Sequence, residues 1–153
     1  MAETEQLIRY MFRRTVSKIQ AYRAVPEKGG CIKVRVLLVE PRKAPYEAEI
    51  EDGLKAMQEI VGGYIQAIYP FKDPVAVICN DEGKLLGLPL NRALRDEDNS
   101  IYDVIAGNFF IAGIGGEDLT DLPAELMEKY KELFFSPEIF LRDKEGLIVC
   151  KVG

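Results

Sequence analysis

Asn91 and Arg92 stand side by side in CNDEGKLLGLPLNR, just past Pro89. Arginine carries five donors in a rigid fork and suits phosphate or carboxylate. Strand ends and loops on a firm scaffold are where binding groups collect. The pair, together with Gly107 and Asn108 at the bend in IAGNFF, is therefore the best candidate for a ligand-binding surface. The competing structural reading pairs Arg92 with Asp96 one helical turn on and makes Asn91 a cap.

A second set is acidic. RDEDNSIYD spaces Asp96, Asp98 and Ser100 like the first ligands of a calcium loop. Ile101 stands where the sharp turn needs glycine, and Gly107 where the bidentate Glu belongs. Asp96, Asp98 and Asp103 remain a candidate divalent-metal site, against the commoner outcome of a solvated acidic loop. In AGIGGEDL, Gly113 and Gly115 open a GxGxxG pattern, but Asp118 takes the place of the third glycine. Glu117 and Asp118 would repel a pyrophosphate, so a glycine turn is the simpler reading. None of these motifs calls for a cofactor.

The chain contains no His. That removes Ser-His and Cys-His nucleophile systems, the usual general base near neutral pH, and His-ligated zinc or iron. GxSxG, P-loop and zinc-ligand patterns are missing too. Any catalysis would have to rest on carboxylates or a metal.

The elements that must position these residues follow from periodicity. Ile8, Met11, Phe12, Val16 and Ile19 give residues 3–23 one apolar helical face, and Arg9, Arg13, Arg14 and Lys18 make the other face basic. PEKGG then breaks the chain, which sets residues 1–26 apart as an N-terminal extension to a single domain over 31–153. KVRVLLVE and YEAEIE read as strands. GLKAMQEIV reads as a helix capped by Asp52 and stopped by Gly62 and Gly63. YIQAIYP and VAVICN are strands, and NDEGK is a hairpin turn leading to a strand at KLLGL, so turn chemistry accounts for Asn80 to Gly83. LNRAL reads as a short helical turn, and IYDVIAGNFFIAGIGG as two strands bent at Gly107 and Asn108. The last helix, TDLPAELMEKYKELFF, takes its cap from Thr120 or Asp121 and buries Leu126, Tyr130, Leu133 and Phe134. A closing hairpin turns over Asp143 to Gly146. The expected fold is α+β: a mixed or mostly antiparallel sheet packed by helices, with an N-terminal amphipathic helix.

Composition narrows the setting. A net charge of -5 and a pI of about 4.9 argue against coating nucleic acid by charge. No apolar run approaches the ~20 residues that cross a bilayer, and the charged start does not read as a signal peptide. Cys31, Cys79 and Cys150 are odd in number, far apart and set in apolar runs, which reads as three free, structural thiols in a reduced cytoplasmic protein.

In this order, VLLVEP, IVGGYI, CNDEGKLLGLPLNRAL and YDVIAGNFFIAG resemble an uncharacterised domain-of-unknown-function family of conjugative elements, phages and related genomes of Gram-positive bacteria. The resemblance covers residues 33–113, with NDEGKLLGLPLNR its most specific part. It implies a small cytoplasmic accessory protein of mobile DNA and lends no catalytic residue. The leading expectation is a non-enzymatic binding or interaction module for a small ligand or a protein. One alternative is a histidine-free, metal-assisted hydrolase or nucleotide-processing enzyme using the acidic loop. Another is an adaptor that binds protein or nucleic acid through its basic first helix, whose apolar face must pack on the domain or on a second copy in a homodimer.

Overall fold

The computed structural model describes residues 32–116 and 118–152. The expected N-terminal helix, the boundary after Pro26 and Cys31 lie outside them. The elements are β1 (Lys33–Val39), β2 (Tyr46–Glu51), α1 (Leu54–Val61), β3 (Ile65–Ile68), β4 (Val75–Asn80), β5 (Leu90–Arg95), β6 (Ile101–Ala106), β7 (Phe109–Gly115), β8 (Asp118–Thr120), α2 (Ala124–Leu133), β9 (Glu138–Asp143) and β10 (Gly146–Lys151).

The α+β expectation is corrected. Strand takes 48% of the described residues and helix 15%, so this is a mostly antiparallel β structure dressed by two helices. Five strands form the main sheet in the order β2-β1-β7-β4-β3, with β8 added beside the end of β7. β5–β6 and β9–β10 are separate two-stranded ribbons, and every strand pair among the described residues is antiparallel.

Side chains alternate between the two faces of the sheet. On one face Val36, Leu38, Ile78 and Phe110 pack with Met57 and Val61 of α1. On the other, Leu37, Val39, Val77 and Ile111 pack with Leu94 and Ile105 of the β5–β6 ribbon and with Met127, Tyr130 and Phe134 of α2. Strands β1, β4 and β7 are therefore covered on both faces. That is why VLLV, VAVIC and FFIA read as continuous apolar runs.

Several local expectations change. KLLGL is no strand. Leu88 N–H bonds to the Gly83 carbonyl and Gly87 N–H to the Lys84 carbonyl, closing residues 82–87 as one helical turn, with Gly87 at φ 70°. LNRAL is not helical but forms β5, because its burial against β6 and the main sheet outweighs local propensity. Gly53, not Asp52, precedes α1, and Pro123 precedes α2, each without a side-chain cap. Thr120 is instead drawn into β8. Leu133 is 52% exposed because Met127 takes the inward position beside Tyr130. The stop at Gly62 holds: with φ 78° it donates to the Gln58 carbonyl.

Candidate functional site

Asn91 and Arg92 are both completely buried. Neighbouring residues of a strand ordinarily face opposite ways, but here the register slips. Leu90 pairs with Ala106 and Arg92 with Ile105, which leaves Asn91 as the extra residue of a bulge. The amide of Asn91 spends both donors, on the Val39 carbonyl (2.9 Å) and the Gly107 carbonyl (2.8 Å). Arg92 makes five bonds. Nε reaches the Phe134 carbonyl, Nη1 reaches Oδ1 and the carbonyl of Asn91, and Nη2 reaches the carbonyls of Lys43 and Phe134. A guanidinium has five N–H donors, so the set is full. This geometry ties the turn after β1, the ribbon and the end of α2 together, and it turns no donor of Arg92 toward solvent.

Gly107 and Asn108 carry the chain from the ribbon to the main sheet. Gly107 sits at φ 82°, a conformation that favours glycine, and its N–H bonds to the Pro89 carbonyl. Asn108 donates to the Ile60 carbonyl near the end of α1. Both residues line a hollow of about 530 Å3 with Pro41, Arg42, Gly62, Leu88 and Pro89. Of the four expected binding residues, these two reach a surface and Asn91 and Arg92 lie beneath it. Arg42 adds an exposed guanidinium there and is itself held at φ 66°.

The left end of the motif is also structural. Asn80 is buried, donates to the Val61 carbonyl (3.0 Å) and accepts the Glu82 N–H (2.8 Å). It thereby pins the turn over residues 81–87 to the end of α1. A Cβ on Gly63 would lie 2.9 Å from the Asn80 amide nitrogen, and one on Gly83 would lie 2.7 Å from the Ala106 carbonyl oxygen. The turn fixed in this way holds Leu85 (88% exposed) and Leu86 (57% exposed) out in solvent, and Tyr64 is 66% exposed. Tyr64 and Leu86 line a second hollow, about 490 Å3, with Lys55, Gln58, Glu59 and Glu82.

The three candidate metal ligands do not gather. Asp96 accepts the N–H groups of Asp98 and Ser100, which makes it the organiser of the β5–β6 turn. Asp103 lies on β6, pairs with Lys84 and accepts the Val104 N–H. Among the described residues no group of three or more acidic, Cys or His side chains is placed to hold a metal ion. The glycine-rich AGIGGEDL closes the β7–β8 hairpin, with Gly115 opposite Asp118.

The thiols separate. Cys79 is buried on β4, and burial, helped by the negative charges of Asp103 and Asp81, pushes its pKa up to about 12. Cys150 is exposed on β10, which corrects the expectation that every cysteine is a buried structural one.

Sequence reasoning missed two features. Asp73 accepts from the Tyr130 hydroxyl (2.5 Å) and from Lys129 Nζ (2.6 Å), tying the β3–β4 connection to α2. No sequence signal links residues that far apart. The Leu85 and Leu86 pair could have been found, as two apolar residues bracketed by Gly83 and Gly87 in a turn-rich stretch.

Nothing matches among curated proteins or among solved structures. A family model described as a Domain of unknown function (DUF3846) matches residues 32–135, from just before β1 to just past α2. The stretch holds the sheet, the β5–β6 ribbon and both ends of the motif that runs from Asn80 to Arg92, and the chain belongs to the DUF3846 family.

Proposed function

We propose that this chain is a non-enzymatic binding module that takes a protein partner on the surface made by Tyr64, Leu85 and Leu86. The observation that carries this reading is the exposure of Leu85 and Leu86 on a turn that Asn80 and the close approach of Gly83 hold in place, with exposed Tyr64 at the hollow that Leu86 also lines. Apolar groups gathered on a fixed turn beside a hollow are the usual form of an interaction site. The polar residues that suggested chemistry, Asn91 and Arg92, spend their donors inside the protein. The resemblance to a family of mobile elements fits an accessory protein of mobile DNA. The exposed free thiol of Cys150 suits a reducing, cytoplasmic setting.

The test is affinity capture from the native host with the full chain and with its Leu85→Ser/Leu86→Ser variant. A protein retained by the parent, lost with the variant and then shown to bind directly in purified form supports the reading. Purified parent and variant binding that protein equally would overturn it, as would robust turnover of phosphoesters or nucleotides with magnesium or manganese.

A second reading rests on Arg42. Its guanidinium stands at the hollow lined by Gly107 and Asn108, on a backbone conformation that non-glycine residues rarely hold. A small anionic ligand would fit this position. Titration with inorganic phosphate and nucleotides, followed by amide shifts at Gly62, Gly107 and Asn108 and abolished in Arg42→Gln, decides it.

A further inference from the structure

The β9–β10 ribbon lies past the family-matched stretch. Its register divides the side chains between two faces. On one face Glu138 is buried and bonded to Arg95, and Phe140 and Val149 are half-buried. Ile139, Leu141, Ile148 and Cys150 share the other face, and all four are exposed, Leu141 by 54%. A two-stranded hairpin is marginal in water, and sheets become independently stable with three or more strands. Among the described residues no strand pairs with the outer edge of β10. Edge strands are ordinarily blunted by proline, charge or a bulge. β10, GLIVCK, has no proline, pairs with β9 without a bulge, and carries Lys151 as its one charge.

The hydrogen-bond pattern decides what can meet this edge. Val152 N–H bonds to the Pro137 carbonyl, which continues the register of the ribbon as a hydrogen-bonded pair. Such pairs alternate along an antiparallel ladder. Ile148 and Cys150 therefore turn their main-chain groups toward β9, while Leu147, Val149 and Lys151 turn theirs outward. A second copy of β10, related by a two-fold axis through Ile148, meets outward residues with outward residues. Leu147 then stands opposite Val149 of the second copy, and Ile148 opposite its own equivalent. Glu145, at the turn, comes beside Lys151 of the second copy, and the symmetry makes that ion pair twice. An axis through Val149 would set Lys151 against Leu147. An axis through Leu147 would leave only residues 146–148 of the strand paired. With the axis at Ile148, Leu141 and Ile148 of both copies form one apolar row across four strands, the kind of cross-strand contact that stabilises a sheet.

We infer that β10 pairs antiparallel with β10 of a second copy of this chain, about Ile148, so that the two ribbons make one four-stranded sheet. The Glu145–Lys151 complementarity selects this partner and this register.

The test uses the full chain. Its mass in solution is expected to be that of a dimer. The axis brings the two Ile148 Cα atoms to about 4.5 Å, within disulfide reach, and leaves the two Cys150 residues about 14 Å apart. In a Cys31→Ser/Cys150→Ser background, Ile148→Cys is expected to give a covalent dimer on mild oxidation. The Cys31→Ser chain, which keeps Cys150, is expected to give none. Glu145→Lys should raise the dimer Kd about tenfold, and adding Lys151→Glu should restore it. A monomeric parent overturns the inference. So does a dimer in which Ile148→Cys forms no bridge or Cys150 bridges as readily, and so does a dimer whose Kd ignores the two charge reversals.

Discussion

The guanidinium of Arg92 grips the carbonyl of Phe134 twice, from Nε at 3.2 Å and from Nη2 at 3.0 Å. That carbonyl closes α2, where a helix leaves unpaired acceptors and partial negative charge. A fully buried cation is thus held mainly by main-chain dipoles. Burial pushes its pKa down, and the nearby Glu138 opposes that push. Glu138 is itself bonded to Arg95, so two arginines of β5 secure the segment that follows α2.

Replacing Arg92 removes five bonds and orphans buried carbonyls on three segments. Arg92→Met is expected to cost on the order of 3 kcal/mol, and Asn91→Ala about 2 kcal/mol, in urea unfolding. Arg92→Lys recovers only part of the loss, since one ammonium cannot reproduce the fork. A loss under about 1 kcal/mol for Arg92→Met would contradict a structural role and return Arg92 to the list of ligand-binding residues.

Glycine substitutions separate close approach from empty space. Gly83→Ala drives a Cβ to 2.7 Å from a main-chain oxygen, which cannot move cheaply. Gly107→Ala combines φ 82° with a 2.8 Å contact on the Leu88 side chain, whose methyl can yield. Each is expected to cost about 1–3 kcal/mol, Gly83→Ala the more of the two. Gly53→Ala, in extended backbone with nothing within 4 Å, is expected to be neutral or slightly stabilising. Thermal unfolding of the three variants checks the order.

Thiol reactivity should divide along burial. In a Cys31→Ser background at pH 8, Cys150 is expected to react rapidly with a thiol reagent. Cys79 should react only as the protein opens, because its pKa stands at about 12 and its side chain is buried. Equal rates at the two positions would contradict the buried placement of β4.

The legible parts of this fold were those where one element carried its own signal. VLLV, VAVIC and FFIA were legible as strands from their apolar runs, and Gly62 announced the end of α1. The bend at Gly107 and Asn108 was also readable, but not that it joins two sheets. What failed was whatever a distant partner decides. LNRALR has helix-forming residues, yet β6 and the main sheet make it a strand with a bulge. Leu85 and Leu86 looked like strand residues, and only the turn closed at Gly87 holds them outward. Asn91 and Arg92 were rightly singled out as special. The geometry accounts for them by carbonyls at Val39, Lys43, Gly107 and Phe134, which no spacing in the sequence brings together.

The tie between Asp73 and α2 makes stability depend on pH at both ends of the scale. The hydrogen bonds from Lys129 and then Tyr130 hold the Asp73 pKa below the ordinary carboxylate value. Folding therefore favours the ionised form. This contribution is present above the usual carboxylate range and is lost as pH falls through the folded pKa. Burial, and then the bond to Asp73, raises the Tyr130 pKa. That contribution is present below the ordinary tyrosine pKa and is lost as pH rises through the raised one. Asp73→Asn should accordingly be less stable than the parent at pH 7, with the gap closing as pH is lowered from about 5 toward about 2. Tyr130→Phe keeps the ring contact with Phe71, at 4.6 Å between centroids, and removes only the hydroxyl. It is expected to cost about 1 kcal/mol at pH 7. Urea unfolding across this pH range measures both, and a gap for Asp73→Asn that stays constant down to pH ~2 would show that the carboxylate charge is not what ties the β3–β4 connection to α2.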